Sequence, residues 1–218
     1  MDIWLFILGY LIHFVASCIL TYKVFQQRTI YGLSFDTQLC FLASTVSRCI
    51  WSLDTRLVET WLAYLELGLS TFMSILLTYL MWSFRYTHTK QMILPLRAYV
   101  LIPASMLVAF FIHPSRSWIT VQILVAFSIY LEAIALLPQL YFLRRMLEVE
   151  PLTSHYVGLL VVSRVIRLFF WVTLYLQGEH FVGLFLADLL HSVLAADYFV
   201  MWCRKLRHGG TLIYKGRV

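Results

Sequence analysis

Charge is scarce in this chain. Only 13% of its 218 residues are Asp, Glu, Lys or Arg, whereas 61% are hydrophobic and the mean hydropathy is +0.79. A water-soluble domain of this size has no way to hide so much apolar surface, so the composition excludes one and indicates a polytopic membrane protein. Cysteine is sparse as well. Cys18, Cys40, Cys49 and Cys203 stand at unrelated spacings with no CxxC pair or metal set among them, and they read as small buried hydrophobes. The signatures of catalysis are missing too. There is no nucleophile elbow, no HExxH and no phosphate-cradling glycine loop, and Gly209-Gly210 reads as a turn in a tail. The chain therefore reads as a binder rather than an enzyme, with no cofactor and no metal expected. Nor does a basic start or a small-residue cleavage site precede the first apolar stretch. Met1-Asp2 runs directly into Ile3, so that stretch is expected to be a retained helix rather than a signal peptide.

What the chain has in abundance is long apolar segments. They recur at Ile3 to Val24, Phe35 to Leu53, Leu57 to Trp82, Met92 to Ile112, Ile119 to Leu143, Tyr156 to Leu176 and Phe181 to Trp202. Each is near the ~20 residues that a helix needs to cross a bilayer. The expectation is an all-α membrane protein of seven transmembrane helices over residues 1–203, followed by a basic tail over residues 204–218. The basic residues in the connections, near the segment ends and in the tail divide unevenly. Lys23, Arg28, Arg85, Lys90, Arg97, Arg144, Arg145, Arg204, Lys205, Arg207, Lys215 and Arg217 fall on one side, against Arg56 and Arg116 on the other. The positive-inside rule then places the C-terminus in the cytosol and, with seven crossings, the N-terminus in the lumen or outside. The net charge of +6 is explained by topology, so no nucleic-acid partner is needed.

Val46-Ser47-Arg48-Cys49-Ile50-Trp51 in the second segment is echoed by Val162-Ser163-Arg164-Val165-Ile166-Arg167 in the sixth. The echo predicts two parallel three-helix repeats joined by a linker helix, the SWEET/PQ-loop-like layout. Pro138-Gln139 near the end of the fifth segment predicts a kink or stop that frees backbone groups for a hinge.

The charges left inside the segments are the bases Arg48, Arg164 and Arg167 and the acids Glu66, Glu132, Asp188 and Asp197. An ionised side chain at mid-bilayer costs about 2.5 to 3.5 kcal/mol on insertion scales, so each calls for a partner or a ligand. Arg164, Arg167 and Trp171 share one helical face, an arrangement suited to a carboxylate. Alternatively, the three arginines neutralise Glu132, Asp188 and Glu66 as a structural set, and both roles can coexist if a ligand displaces an internal pair. His13, midway along the first segment, is either a packed histidine or a group that changes charge between neutral and mildly acidic compartments. His191 carries the same two readings.

The run AFSIYLEAIALLPQL (Ala126 to Leu140), then LTSHYVGLL, Arg164 and Trp171, closely resembles the KDEL receptor family of endoplasmic-reticulum retention receptors. The likeness extends through Gly9, His13, Lys23, Gly32-Leu33-Ser34, Gln38, Arg48 and Asp197-Tyr198-Phe199. The resemblance implies a seven-helix receptor cycling between Golgi and endoplasmic reticulum. Such a receptor captures luminal proteins by C-terminal Lys/His-Asp-Glu-Leu signals at mildly acidic pH and returns them by COPI retrograde transport. It further implies that Arg48 clamps the peptide's terminal carboxylate and that His13 is the pH sensor. Glu132 and Arg164 would be a charged pair in the cavity, Trp171 a lining aromatic, and Asp197 with the basic Arg204, Lys205 and Arg207 would serve trafficking.

Several positions depart from the family's pattern. Phe6 and Leu174 replace arginines, Cys49, Ser163 and Arg167 replace tyrosines, and Phe170 replaces an asparagine. Trp51, Gln122 and Val125 replace an aspartate, a glutamate and a tryptophan at the subsite for the signal's first residue. Arg167 is placed to restore one lost anion contact, since it shares a face with Arg164. Three other readings stay open: a small-solute transporter on the same scaffold, a trafficking partner without a luminal ligand, and a paralogue that has lost signal binding.

Overall fold

The computed structural model describes residues 3–53, 60–87, 92–113, 121–146, 148–178, 181–208 and 212–213. Among them are eight α-helices: α1 (Ile3–Gln27), α2 (Phe35–Trp51), α3 (Trp61–Ser83), α4 (Ala98–Phe111), α5 (Val121–Ala135), α6 (Leu137–Arg145), α7 (Pro151–Leu176) and α8 (Val182–His208). Two-residue strands, β1 (Glu148–Val149) and β2 (Leu212–Ile213), pair antiparallel. Arg56, Lys90, Arg116, Lys215 and Arg217, on which part of the expected orientation rests, lie outside the described residues.

Local chemistry sets the helix ends. Ser34, in extended conformation, caps α2 by accepting from the Thr37 amide at 3.2 Å. Pro151 opens α7, where its missing N–H costs nothing. Pro138 does the opposite inside a longer apolar run. It cannot donate to the preceding turn, so the helix breaks at Leu136 and resumes as α6. The expected kink is thus present. Beside it, Gln139 pins the α1–α2 connection: its amide donates to the Gly32 carbonyl at 2.8 Å and its oxygen accepts from the Ser34 amide at 2.7 Å. The fourth apolar segment starts later than its hydropathy implies, because Pro95 sits in a short 3₁₀ turn, Leu94–Leu96, ahead of α4.

Among the described residues, five stretches are long and apolar enough to cross a membrane: Trp4–Gln27, Trp61–Ser83, Val121–Arg145, Pro151–Leu176 and Val182–Arg204. α2, with 17 residues, and α4, with 14, are shorter. Large apolar side chains cover the outside, among them Phe72, Leu107, Phe111, Phe169, Leu186 and Val193. The polar groups point inward instead, the arrangement that lipid, unlike water, selects. α1 packs along α7 and α3, α2 along α5 and α3, and α8 along α7 and α5, while α4 leans on α5.

One end of the bundle is tied by polar contacts between successive turns. By sequence Lys23 counts as a loop charge, yet its side chain is fully buried. It bonds Glu150 at 2.5 Å, the Thr153 hydroxyl at 2.6 Å and the Tyr31 carbonyl at 3.3 Å, joining α1 to α7. Asp36 accepts from the Ala98 amide at 2.8 Å, joining α2 to α4. α8 runs through His208, and Arg204, Lys205 and Arg207 stand on its last turns. Arg204 and Arg207 are exposed.

Candidate ligand site

Six of the seven charges counted inside the apolar segments meet in the interior, each no more than 7% exposed. α7 contributes Arg164 and Arg167, whose spacing of three puts both forks on the face toward α5 and α8. Arg164 reaches Glu132 of α5 and Asp188 of α8 at 2.9 Å each. Arg167 reaches the same two acids at 2.7 and 3.2 Å. Asp188 also accepts from the Trp171 indole at 2.8 Å, and Glu132 accepts from the Ser44 hydroxyl at 2.8 Å. The shared face of Arg164, Arg167 and Trp171 expected from spacing therefore converges on one carboxylate.

The second centre lies between α2 and α3. Arg48 donates to Glu66 at 2.8 Å, and the other oxygen of Glu66 accepts from Ser70 at 2.5 Å. Tyr10 of α1 joins the two centres. Its ring lies 3.5 Å from the Arg48 guanidinium carbon and 4.6 Å from that of Arg167, and its hydroxyl reaches Glu132 at 3.4 Å. Each of these two cations thereby gains a π-face as well as a carboxylate. Gly9, the neighbour of Tyr10, is required here, because a Cβ at that position would collide with the Arg167 stem.

Three guanidinium groups and three carboxylates leave this set formally neutral. Burial of such ions is tolerated only when each is paired and its remaining hydrogen-bond sites are met. Within the set two donors are not met: Nε of Arg48 and Nε of Arg167 are buried with no acceptor. A polar cavity lies beside Arg48, lined by Tyr10, His13, Gln38, Ser70, Ser74 and Glu132 among others. It is narrow, with space for about one water molecule. At the opposite end from the Lys23 tie, Phe6, Phe170, Trp171 and Phe181 form a chain of ring contacts at 5.1 to 6.4 Å, tied to Asp188 through the Trp171 indole.

The remaining expected residues separate. His13 lines the cavity and meets Phe41 edge-on at 4.9 Å. His191 is buried, with Nδ1 at 2.6 Å from the Ala133 carbonyl. Asp197 does not join the interior set as its place in an apolar segment suggests. Its side chain is 66% exposed and 3.8 Å from Arg144, because its position on α8 faces away from Asp188. Tyr10 and Ser44 are functional candidates that sequence reasoning does not single out. The only signal for Tyr10 is its place one turn before His13 on the same helix face; Ser44, one turn before Arg48, gives none beyond that spacing.

These features define a class: a helical membrane protein whose core is polar, charge-balanced and closed off from lipid. A family model described as ER lumen protein retaining receptor matches residues 29–174. The chain is 30% identical over 208 residues to an ER lumen protein-retaining receptor of Drosophila melanogaster, covering 94% of this chain and 95% of that one. It is 29% identical over 207 residues to ER lumen protein-retaining receptor 2 of Danio rerio, with the same shares covered. With ER lumen protein-retaining receptor erd-2.1 of Caenorhabditis elegans it is 28% identical over 199 residues, covering 89% and 90%. The chain belongs to the ER lumen protein retaining receptor family.

Proposed function

We propose that this chain is a retention receptor of the endoplasmic reticulum and Golgi membranes, binding luminal proteins by a C-terminal signal at mildly acidic pH and returning them through COPI carriers. The observation that carries the reading is Arg48, a buried guanidinium with an unmet Nε–H at the edge of a polar cavity, in a chain that belongs to this family. A terminal carboxylate is the group such a fork pairs with most strongly. Arg164, Arg167, Glu132 and Trp171 form the wall against which the rest of the signal lies. Ser163 stands where the resemblance implies a tyrosine, and the phenol that reaches Glu132 in this chain comes from α1, through Tyr10. His13, in the same cavity, serves as the pH sensor.

The architecture in this reading is seven crossings, with α5 and α6 as one broken span, luminal N-terminus and cytosolic C-terminus. α1–α3 and α5–α8 form parallel units about the linker α4. Matched packing supports this: α1 lies on α7 as α5 lies on α2, and α2 lies on α3 as α7 lies on α8. Arg48 and Arg164, equivalent in the sequence echo, each pair with an acid on the helix that follows. The exposed Asp197, Arg204 and Arg207, with Lys205 on the same turns, form the cytosolic surface read for transport.

One observation favours a second reading, a family member that no longer binds signals: all three guanidinium groups already hold internal carboxylates. A panel of C-terminal tetrapeptides, titrated at mildly acidic and at neutral pH against wild type and Arg48→Ala, separates the two. Acid-favoured binding that vanishes in Arg48→Ala is expected of the receptor, and no binding by any peptide is expected of the silent member.

A further inference from the structure

Among the described residues, Glu66 and Asp188 are interior acids to which the proposed function gives no task, and of the two Glu66 holds a single guanidinium. It projects from α3 toward Arg48 of α2 and is 3% exposed. One of its oxygens takes the Arg48 Nη2 donor at 2.8 Å, and Ser70, a turn further along α3, holds the other at 2.5 Å. Tyr10 covers the guanidinium at 3.5 Å. An incoming carboxylate thus meets a fork already engaged by a carboxylate of the same chemistry, in a cavity too small to hold both.

We infer that Glu66 is a tethered competitor for Arg48, so that a ligand's terminal carboxylate binds by exchange with the Glu66 carboxylate and the affinity of the site is set by that exchange. This rests on the receptor reading and deepens it. While His13, in the same cavity, is neutral, charge balance favours exchange. The six buried ions sum to zero, and an added carboxylate would leave an unmatched negative charge in a medium that penalises it heavily. Replacing one carboxylate by another on Arg48 conserves that balance, provided the displaced one reaches a polar place. Glu66 is suited to this, because it lies five residues after Trp61, which is exposed at the start of α3, or about 7–8 Å along the axis. Glu132 and Asp188 are not suited, since each holds two guanidinium groups at once. A tethered group competes at millimolar or higher effective concentration, so only a free carboxylate with further contacts to the wall displaces it. Glu66 thereby selects a chain end over a simple organic acid.

The test is binding of Lys-Asp-Glu-Leu and His-Asp-Glu-Leu tetrapeptides, as free acids and as C-terminal amides, to the full chain in detergent. Wild type, Glu66→Gln and Ser70→Ala are compared. Gln keeps the shape and the bond from Ser70 while removing the competing charge, and Ser70→Ala only loosens the competitor's hold. The expected result is at least tenfold tighter free-acid binding by Glu66→Gln, a smaller gain in the same direction by Ser70→Ala, and amide binding within twofold of wild type. Free-acid binding by wild type that is unchanged or weakened in both monodisperse variants overturns the inference and leaves the receptor reading standing. Should Glu66→Gln fail to fold, the direction of change in Ser70→Ala decides. Absence of free-acid binding in all three proteins overturns the receptor reading and this inference together.

Discussion

The two charge centres on either side of Tyr10 use the same residue types and differ in connectivity. Between α2 and α3, Arg48 and Glu66 form a one-to-one pair. Between α5, α7 and α8, two arginines and two acids are cross-linked, so that each ion has two partners of opposite sign. In the first centre, removing or exchanging one acid affects one guanidinium. In the second, any such loss disturbs all four groups and the indole of Trp171. The lesson is a division of labour: the cross-linked centre holds three helices together, and the simple pair is the one a ligand can open.

The sharpest way to break this comparison is to remove Asp188. Asp188→Ala leaves Arg164 and Arg167 to share the single charge of Glu132 and takes the acceptor from the Trp171 indole, and loss of one partner of a buried ion pair typically costs about 3–5 kcal/mol. Thermal unfolding in detergent is expected to show a loss at the top of that range, and an unchanged midpoint would refute the cross-linked role. Glu66→Ala strands a single guanidinium that still faces Tyr10, so its loss is expected at the lower end, about 3 kcal/mol. Equal losses for the two substitutions would erase the distinction between the centres. Tyr10→Phe keeps the ring between the two arginines and deletes only the long hydroxyl contact to Glu132, so chemical denaturation is expected to register about 0.5–1.5 kcal/mol. A larger loss would mean that the phenol, not the ring, is the bridge. The outer pair sets the floor of the scale. Arg144 and Asp197 are 53% and 66% exposed and 3.8 Å apart, so Arg144→Ala is expected to change stability by no more than about 0.5 kcal/mol.

Much of this is legible without coordinates. Apolar segment length locates the helices with ends off by up to six residues, because lipid demands long uninterrupted runs, and Pro138 announces the break at Leu136. The scarcity of charge makes each interior ion conspicuous, and the spacing of Arg164, Arg167 and Trp171 gives their common face. Pairing is less accessible. Arg48 meets Glu66 and not Glu132, and Lys23 turns inward to Thr153 and Glu150, because these partners lie 18 and about 130 residues away along the chain and only helix packing selects them. Asp197 misleads for the opposite reason. Its apolar neighbours suggest the interior, yet on α8 it stands about half a turn out of phase with Asp188, on an exposed face. Tyr10 goes unnoticed since an aromatic in an apolar helix looks like packing until two cations are found on its faces.

The most direct measurement is a competition on the wild-type chain between one retention tetrapeptide bearing a free C-terminal carboxylate and the same peptide as an amide. If Arg48 receives a chain end, the free acid binds and the amide is weaker by at least the 1.5–3 kcal/mol of a charge-assisted hydrogen bond, more than about tenfold in affinity. Equal binding of acid and amide would contradict the account, because recognition would then not depend on the carboxylate that the buried guanidinium is held to receive.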